Sequence, residues 1–236
     1  LQERLEDVID TIIYDESIHG TVIVMNPQTG AIQAISSFPG FDLNYVARGV
    51  PEEEWEQFKD HPDLYMFNRA TQGLYPPGST FKLVSLLALT DDCGLPITQE
   101  YDTHNGNTVI VGPKGPKVTD DHPIGKMVDM KTATAQSSNV YFAEAIYQNY
   151  NNDRQRYINY LHHLYLDRDV GFTNMEEKLP RIPDPEKKRG VGSWSAHTLP
   201  NMGYGYAIEM PPIRTLVLYN AVANGGRMMA PRLIKE

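Results

Sequence analysis

Only two stretches of this chain read as β-strand, and they are neighbours. Thr21 to Asn26 (TVIVMN) and Ala31 to Ser37 (AIQAISS) are short, β-branched runs parted by the turn-forming Pro27-Gln28-Thr29-Gly30. A hairpin alone is marginal in water, so it demands further strands or a helix laid across it. The remainder reads as helix and loop. Residues 1–17 space Leu1, Leu5, Val8, Ile9, Ile12 and Ile13 at helical intervals with acidic residues between them, giving one face that can pack on a core. Pro51 to Asp60 has Pro at a helix start and an acidic first turn, read as a solvated face. Ser79 to about Thr90 (STFKLVSLLALT) is apolar, free of Gly and Pro, and follows Pro76-Pro77-Gly78, which predicts a buried helix with a sharp start. Met130 to Tyr150 reads as helix on both sides of a break at Ser137-Ser138-Asn139. Asn151 to Leu166 is a further helix, and Pro211 to Ala223 another, closed by Asn224-Gly225-Gly226. Residues 103–120 suggest a surface loop or small hairpin around Thr108 to Val111, and residues 180–203 a long surface excursion. Two strands against about six helices imply a sheet that is either small or incomplete.

Charge narrows the functional classes. The 236 residues carry 21 basic and 30 acidic side chains, a net charge of -9, which argues against a duplex nucleic-acid partner. No apolar stretch is long enough to cross a bilayer, and the acidic opening from Leu1 does not resemble a secretory signal. With no initiator Met, the chain reads as a portion of something longer. A lone Cys93 cannot form an internal disulfide and reads as a half-buried thiol near a helix end. The seven histidines are scattered, and the adjacent His162 and His163 point about 100° apart on a helix, so no metal site is expected.

Most catalytic signatures are missing: there is no G-x-S-x-G, no G-x-x-x-x-G-K-[ST], no H-E-x-x-H, and Gly203-Tyr204-Gly205 lacks the third glycine of a dinucleotide loop. Ser79-Thr80-Phe81-Lys82 remains. A serine at a helix start with a lysine three residues on puts hydroxyl and amine on one face, where a lysine whose pKa is lowered by burial can take the serine proton. The helix start would favour an oxyanion there. Alone the pattern is weak: nine serines and ten lysines give about 0.4 chance S-x-x-K matches, and such a serine is usually an N-cap. Ser137-Ser138-Asn139 meets the same objection, since Ser138 can simply cap the helix that follows.

The two motifs together, in this order, mark penicillin-binding proteins and β-lactamases. The sequence resembles the transpeptidase domain of class B penicillin-binding proteins along nearly its whole length, through VMNPQTGAIQAISSFPGFDLN (24–44), NRATQGLYPPGSTFK (68–82), AQSSNVYF (135–142) and GYGYAIEMPPIRTLVLYNAVANGGRMMAPRLI (203–234). The resemblance implies an α+β fold of the β-lactamase/transpeptidase type, an antiparallel sheet flanked by helices plus a helical subdomain. On this reading residues 1–236 form a partial transpeptidase domain. Residues 1–50 supply an N-terminal helix and hairpin, 51–200 a mainly helical part carrying both motifs, and 201–236 the return towards the sheet. The family's third motif, Lys-[Thr/Ser]-Gly, occurs nowhere in the 236 residues. The expectation is therefore a chain truncated before that strand, lacking the C-terminal strands and impaired as an enzyme.

What the resemblance implies for function is serine acyl transfer in bacterial cell-wall synthesis. Ser79 attacks the penultimate D-alanine carbonyl of a peptidoglycan stem peptide, Lys82 takes its proton, Ser137 relays protons to the leaving amine, and Asn139 holds the substrate amide and helps position Lys82. β-Lactam antibiotics would acylate the same serine, and no metal or organic cofactor is needed. The parent would work outside the cytoplasm, anchored by an N-terminal transmembrane helix outside this chain, alongside cell-wall synthesis or division proteins. The alternatives are a serine β-lactamase, for which no segment resembles the class A Glu loop, and a non-catalytic relative acting as a binding module, which would be expected to lack Ser79 or Lys82.

Overall fold

The computed structural model describes residues 1–12, 19–40, 44, 47–59, 67–112, 115, 117–172 and 175–234. The expected helical positions from Ile13 onward, and Asp60 at the end of the second helix, lie outside the described residues. The chain divides into two compact units, one of residues 1–74, 169–179 and 211–236, the other of 75–168 and 180–210.

The hairpin forms in the first unit. β1 (Gly20–Met25) pairs antiparallel with β2 (Ile32–Phe38), Thr21 opposite Ser37 and Val24 opposite Ala34, with a bulge between Val24 and Met25. Its turn is held by Asn26, whose Oδ1 accepts the Gln28 and Thr29 N–H groups at 2.9 and 3.1 Å, an Asx turn of the kind that favours this residue type. The demand for a covering helix is met by α8 (Pro212–Ala223), whose Ile213 and Val217 join Met25, Val170 and Phe172 in one buried cluster. α1 (Gln2–Ile12) lies against β2. Its apolar stripe is only partly used: Ile9 is buried, whereas Val8 and Ile12 are exposed. Gln2 instead serves the sheet edge, its side-chain amide donating to Ile35 O and accepting from Ile35 N, both at 2.8 Å. Near the end of the described chain Arg232 makes a single parallel bridge to Ala31. α2 (Glu52–Lys59) has three glutamates in its first turn and Lys59 in its last, as the helix dipole favours.

The second unit is built around α5 (Asn139–Tyr150), in which Val140, Tyr141, Phe142, Ala143, Ala145 and Ile146 are all fully buried. A helix apolar around most of its circumference belongs at a core centre, and the polar strip of α5 is narrow, with Gln148 donating to Glu144 along it. α5 packs against α7 (Thr198–Met202) and two small sheets. In one, β3 (Glu100–Asp102) pairs antiparallel with β6 (Met127–Asp129). In the other, β4 (Asn107–Val109) pairs antiparallel with β5 (Lys117–Thr119), the small hairpin expected around Thr108. The strand count is therefore corrected from two to six among the described residues. The four additional strands have three residues each, too few for alternation to show in the sequence.

Two helix readings also change, and one holds. The segment from Ser79 opens as a 3₁₀ turn (Gly78–Phe81), continues as α3 (Lys82–Leu87) and closes as a π turn (Ala88–Asp92). The Tyr150 hydroxyl meets Ala88 O at 3.0 Å, beside the widened turn. The break at 137–139 is present, between α4 (Met130–Ala135) and α5. The helix expected over 151–166 is α6 (Arg154–His163), started by Asp153, whose carboxylate accepts the Arg156 N–H. Residues 180–203 are more than a surface excursion: Arg181 pairs with Glu209 through backbone and side chain, and the segment ends in α7.

Candidate active site

Two prolines fix the start of the Ser79 turn. Pro77 occupies the cap position in helical conformation and offers no side-chain cap, while the Thr80 hydroxyl donates to Pro77 O at 2.7 Å. Ser79 thus lies inside the first turn, exposed, and is not an N-cap. In a 3₁₀ turn residues i and i+3 eclipse, so Lys82 falls on the same side as Ser79. Phe81 between them is buried and anchors the turn in the core.

The far side of the turn is braced by the glycine segment that looked like a fragment of a nucleotide loop. Gly78 N donates to Gly205 O at 3.0 Å. A Cβ on Gly205, where φ is +88°, would lie 1.9 Å from Gly78 O, and one on Gly203 would lie 2.6 Å from Phe142 O. Ser85 on α3 donates to Gly203 O at 2.8 Å. These glycines allow backbone to touch backbone, tying the Ser79 turn to α5.

Lys82 is only 4% exposed. Its Nζ donates to Ser137 Oγ at 2.9 Å and to the Ser137 carbonyl oxygen in a closer contact. Among the described residues these are its hydrogen bonds, so an ammonium would have one hydrogen unused. Burial pulls its pKa down from 10.5 to about 8, with the Asp120 carboxylate pulling weakly the other way. Ser137, exposed, sits in the left-handed region with φ +54° between α4 and α5. Ser138, not Ser137, is the cap of α5, accepting the Tyr141 N–H at 3.0 Å. Asn139 donates its side-chain amide to Thr119 O at 2.9 Å and makes no hydrogen bond to Lys82. Of the four residues singled out in the sequence, the structure joins Lys82 to Ser137 by hydrogen bonds, sets Ser79 one turn from Lys82, and ties Asn139 to the end of β5.

Residues that the sequence did not point to complete the surroundings. Asp120 accepts from the Ser138 hydroxyl at 2.8 Å and from Val140 N at 2.9 Å. A cavity of about 320 Å³ has Pro76, three residues before Ser79, in its wall with Arg181, Ser193, Thr198 and Glu209. The Arg181–Glu209 pair lies far along the chain from the nucleophile motif, Arg181 being 99 residues beyond Lys82, with no spacing that a motif search could use. Asp120 carries no motif signal either, because an aspartate after a short strand is common in turns. No cluster of ligand side chains that could hold a metal ion occurs among the described residues.

This geometry agrees with what the chain is similar to. Residues 20–236 match the family described as penicillin binding protein transpeptidase domain. The peptidoglycan D,D-transpeptidase MrdA of Haemophilus influenzae is 27% identical over 224 residues, 92% of this chain and 33% of that protein. The peptidoglycan D,D-transpeptidase PbpA of Mycolicibacterium smegmatis is 36% identical over 88 residues, 36% of this chain and 18% of that protein. The chain thus spans a third or less of the length of these relatives. The crystal structure of Pseudomonas aeruginosa PBP2 in complex with WCK 5153 superposes with a TM-score of 0.80 at 23% identity, covering 100% of this chain and 53% of that one. PBPA from Mycobacterium tuberculosis gives 0.76, also at 23% identity, over 91% of this chain and 48% of that one. These neighbours share the expected α+β fold, and with the family matched from residue 20 to 236, the chain belongs to the penicillin-binding-protein transpeptidases, as a class B transpeptidase domain.

Proposed function

We propose that the protein is a penicillin-sensitive D,D-transpeptidase that cross-links peptidoglycan stem peptides through an acyl-enzyme on Ser79. One observation carries this: a buried lysine, held near pKa 8, lies one turn from an exposed serine and gives its hydrogens to a second serine. A neutral amine has two N–H groups and one lone pair. The two hydrogens match the two Ser137 oxygens, which leaves the lone pair for the Ser79 proton.

The reaction follows from that arrangement. Ser79 Oγ bonds to the penultimate D-alanine carbonyl carbon as its proton passes to Lys82 Nζ. The oxyanion forms beside the Ser79 N–H, which has no intrahelical partner at the start of the turn. As the C–N bond breaks, the proton returns through Lys82 and the Ser137 hydroxyl to the departing D-alanine nitrogen. An amine of a second stem peptide then attacks the ester, losing its proton along the same path and restoring the Ser79 hydroxyl. On this reading Asn139, whose amide donates one hydrogen to Thr119 O, holds the substrate amide with its remaining polar atoms. A β-lactam enters at the first step because its strained amide mimics the D-alanyl-D-alanine end. The names of the relatives, peptidoglycan D,D-transpeptidases, support this substrate class. Such a substrate places the work outside the cytoplasm. No helix among the described residues is long and apolar enough to cross a membrane, so on this reading an anchor is contributed by other sequence. No Lys-[Thr/Ser]-Gly string occurs within the 236 residues, so this span alone is expected to acylate slowly.

The test is acylation of the full length that the gene encodes by a fluorescent penicillin, with the modified peptide identified by mass. Label on the peptide containing Ser79, lost in Ser79→Ala, is the expected result. Label that survives in Ser79→Ala, or that maps to Ser137, overturns the assignment.

A further inference from the structure

Ser137, which accepts from Lys82, is held in a backbone shape unfavourable for a residue with a Cβ, at φ +54°. Such a conformation persists where the surroundings over-determine it. Here the next three residues are gripped by the end of β5. Thr119 O accepts from the Asn139 side chain at 2.9 Å. The Asp120 carboxylate then takes two donors on its two oxygens, the Ser138 hydroxyl at 2.8 Å and Val140 N–H at 2.9 Å. Asp120 is itself fixed, its N–H donating to Gly106 O at 2.9 Å. Ser138 is 1% exposed, so its hydroxyl has no water to fall back on if this partner is lost.

We propose that Asp120 is a positioning residue of the acyl-transfer site: it clamps the turn from Ser137 to Val140 and so aims the two Ser137 oxygens at Lys82. The proposal rests on the reading of Lys82 as the base. Capping α5 would by itself be a structural role, but Asp120 also acts on Lys82 through space. α3 packs against α4 and α5, whose charged residues are Lys131 and Glu144, and the π turn that continues α3 bears Asp91 and Asp92. Among the described residues Asp120 is the charged group that shifts the Lys82 equilibrium, and it favours the protonated amine. Asp120 therefore performs two separable tasks, a hold on geometry and a negative charge that favours the protonated amine.

Lys82 can be titrated by NMR of its labelled ε-position in the full-length protein, alongside the acylation rate against pH, in wild type, Asp120→Asn, Asp120→Ala and Ser138→Ala. Asp120→Asn removes the charge and keeps the volume and the bond from Val140 N–H to its amide oxygen, while its NH₂ faces Ser138 Oγ and leaves that hydroxyl hydrogen without its acceptor. It should lower the Lys82 midpoint, move the acid limb of acylation down by the same amount, and slow the plateau less than Asp120→Ala does. Ser138→Ala keeps the charge and should leave the midpoint in place while slowing acylation. Asp120→Ala loses both and should slow acylation by about 10²-fold at every pH. Wild-type acylation in Asp120→Ala or in Ser138→Ala makes Asp120 a helix cap and nothing more, and an unchanged Lys82 midpoint in Asp120→Asn removes its electrostatic task. Should Asp120→Ala fail to fold, the Asn and Ser138 variants still decide. If wild type is not acylated at Ser79 yet its Lys82 midpoint falls in Asp120→Asn, the transpeptidase reading fails while the hold of Asp120 on Lys82 stands.

Discussion

Gly205→Ala should damage the site although Gly205 bears no chemistry. Its φ of +88° already disfavours alanine by about 1–2 kcal/mol. The new methyl would lie 1.9 Å from Gly78 O and 2.8 Å from Gly78 N, both backbone atoms with no flexible end to swing away. Reaching ordinary contact requires an opening of about 1.5 Å. Overpacking of this kind costs about 1–3 kcal/mol more, and the Gly78–Gly205 hydrogen bond at 3.0 Å is strained with it. Gly226 supplies the control, with the same φ of +88° and nothing within 4 Å of its would-be Cβ. Gly226→Ala therefore reports backbone strain alone. By denaturant unfolding we expect Gly226→Ala to lose about 1–2 kcal/mol and Gly205→Ala about 3 kcal/mol or more. Because Ser79 directly follows Gly78, the displacement passes to the nucleophile, and a shift of about 1 Å can cost about 10²-fold in penicillin acylation. If Gly205→Ala unfolds at the same midpoint as Gly226→Ala and acylates at the wild-type rate, the close approach does not set the position of the Ser79 turn.

The Lys82 pKa of about 8 makes two testable statements. Acylation should rise with pH along a one-proton limb centred near 8, and Lys82→Arg should be inert, because a guanidinium keeps its proton; an active Arg variant excludes Lys82 as the base. For stability the sign is also set: the folded pKa lies below the unfolded 10.5, so the native state binds fewer protons between those values and Lys82 adds stability as pH rises through that window. Replacing it with Met should flatten that part of the stability profile, and an unchanged slope would place the lysine in solvent. Tyr150→Phe should cost about 1–2 kcal/mol by leaving Ala88 O and Asp92 without the buried hydroxyl that meets them at 3.0 and 2.8 Å, yet should not slow acylation, since the π turn is at the other end of the helical run from Ser79. Equal stability in the Phe variant would show that the widened turn does not depend on Tyr150.

What the sequence could disclose depended on how local each cause was. The β1–β2 hairpin, its turn at Pro27-Gln28-Thr29-Gly30 and the need for a covering helix were legible, because alternation and turn chemistry act within a few residues, whereas Asn26, read as the end of the strand, proved to hold the turn. The pairing of Ser79 with Lys82 was legible too, since three residues of helical spacing suffice to put them on one side. Whether Ser79 was merely a cap was not, because that depends on which residue enters the turn first, and Pro77 does. For the second motif the bland and chemical readings proved compatible: Ser138 caps α5 while its neighbour Ser137, turned to φ +54°, meets Lys82. The three-residue strands escaped notice for want of length, and β5 mattered most, because it brings Thr119 and Asp120 to the S-x-N turn.

Distance along the chain hid the rest. Ser137 lies 55 residues from Lys82 and Gly205 more than 120 from Gly78, so neither contact leaves a periodicity to read. A glycine does leave a trace, since a residue without a side chain at the end of an apolar, aromatic segment asks what it makes room for. Gly203-Tyr204-Gly205 posed that question, and the missing third glycine already excluded a nucleotide phosphate as the answer. The backbone of Phe142 and of Gly78 occupies the space that each glycine leaves. The same physics that lets a loop approach a phosphate lets one loop approach another. In this fold it serves to fix a nucleophile turn against the central helix, so the third glycine of a dinucleotide motif has no part to play.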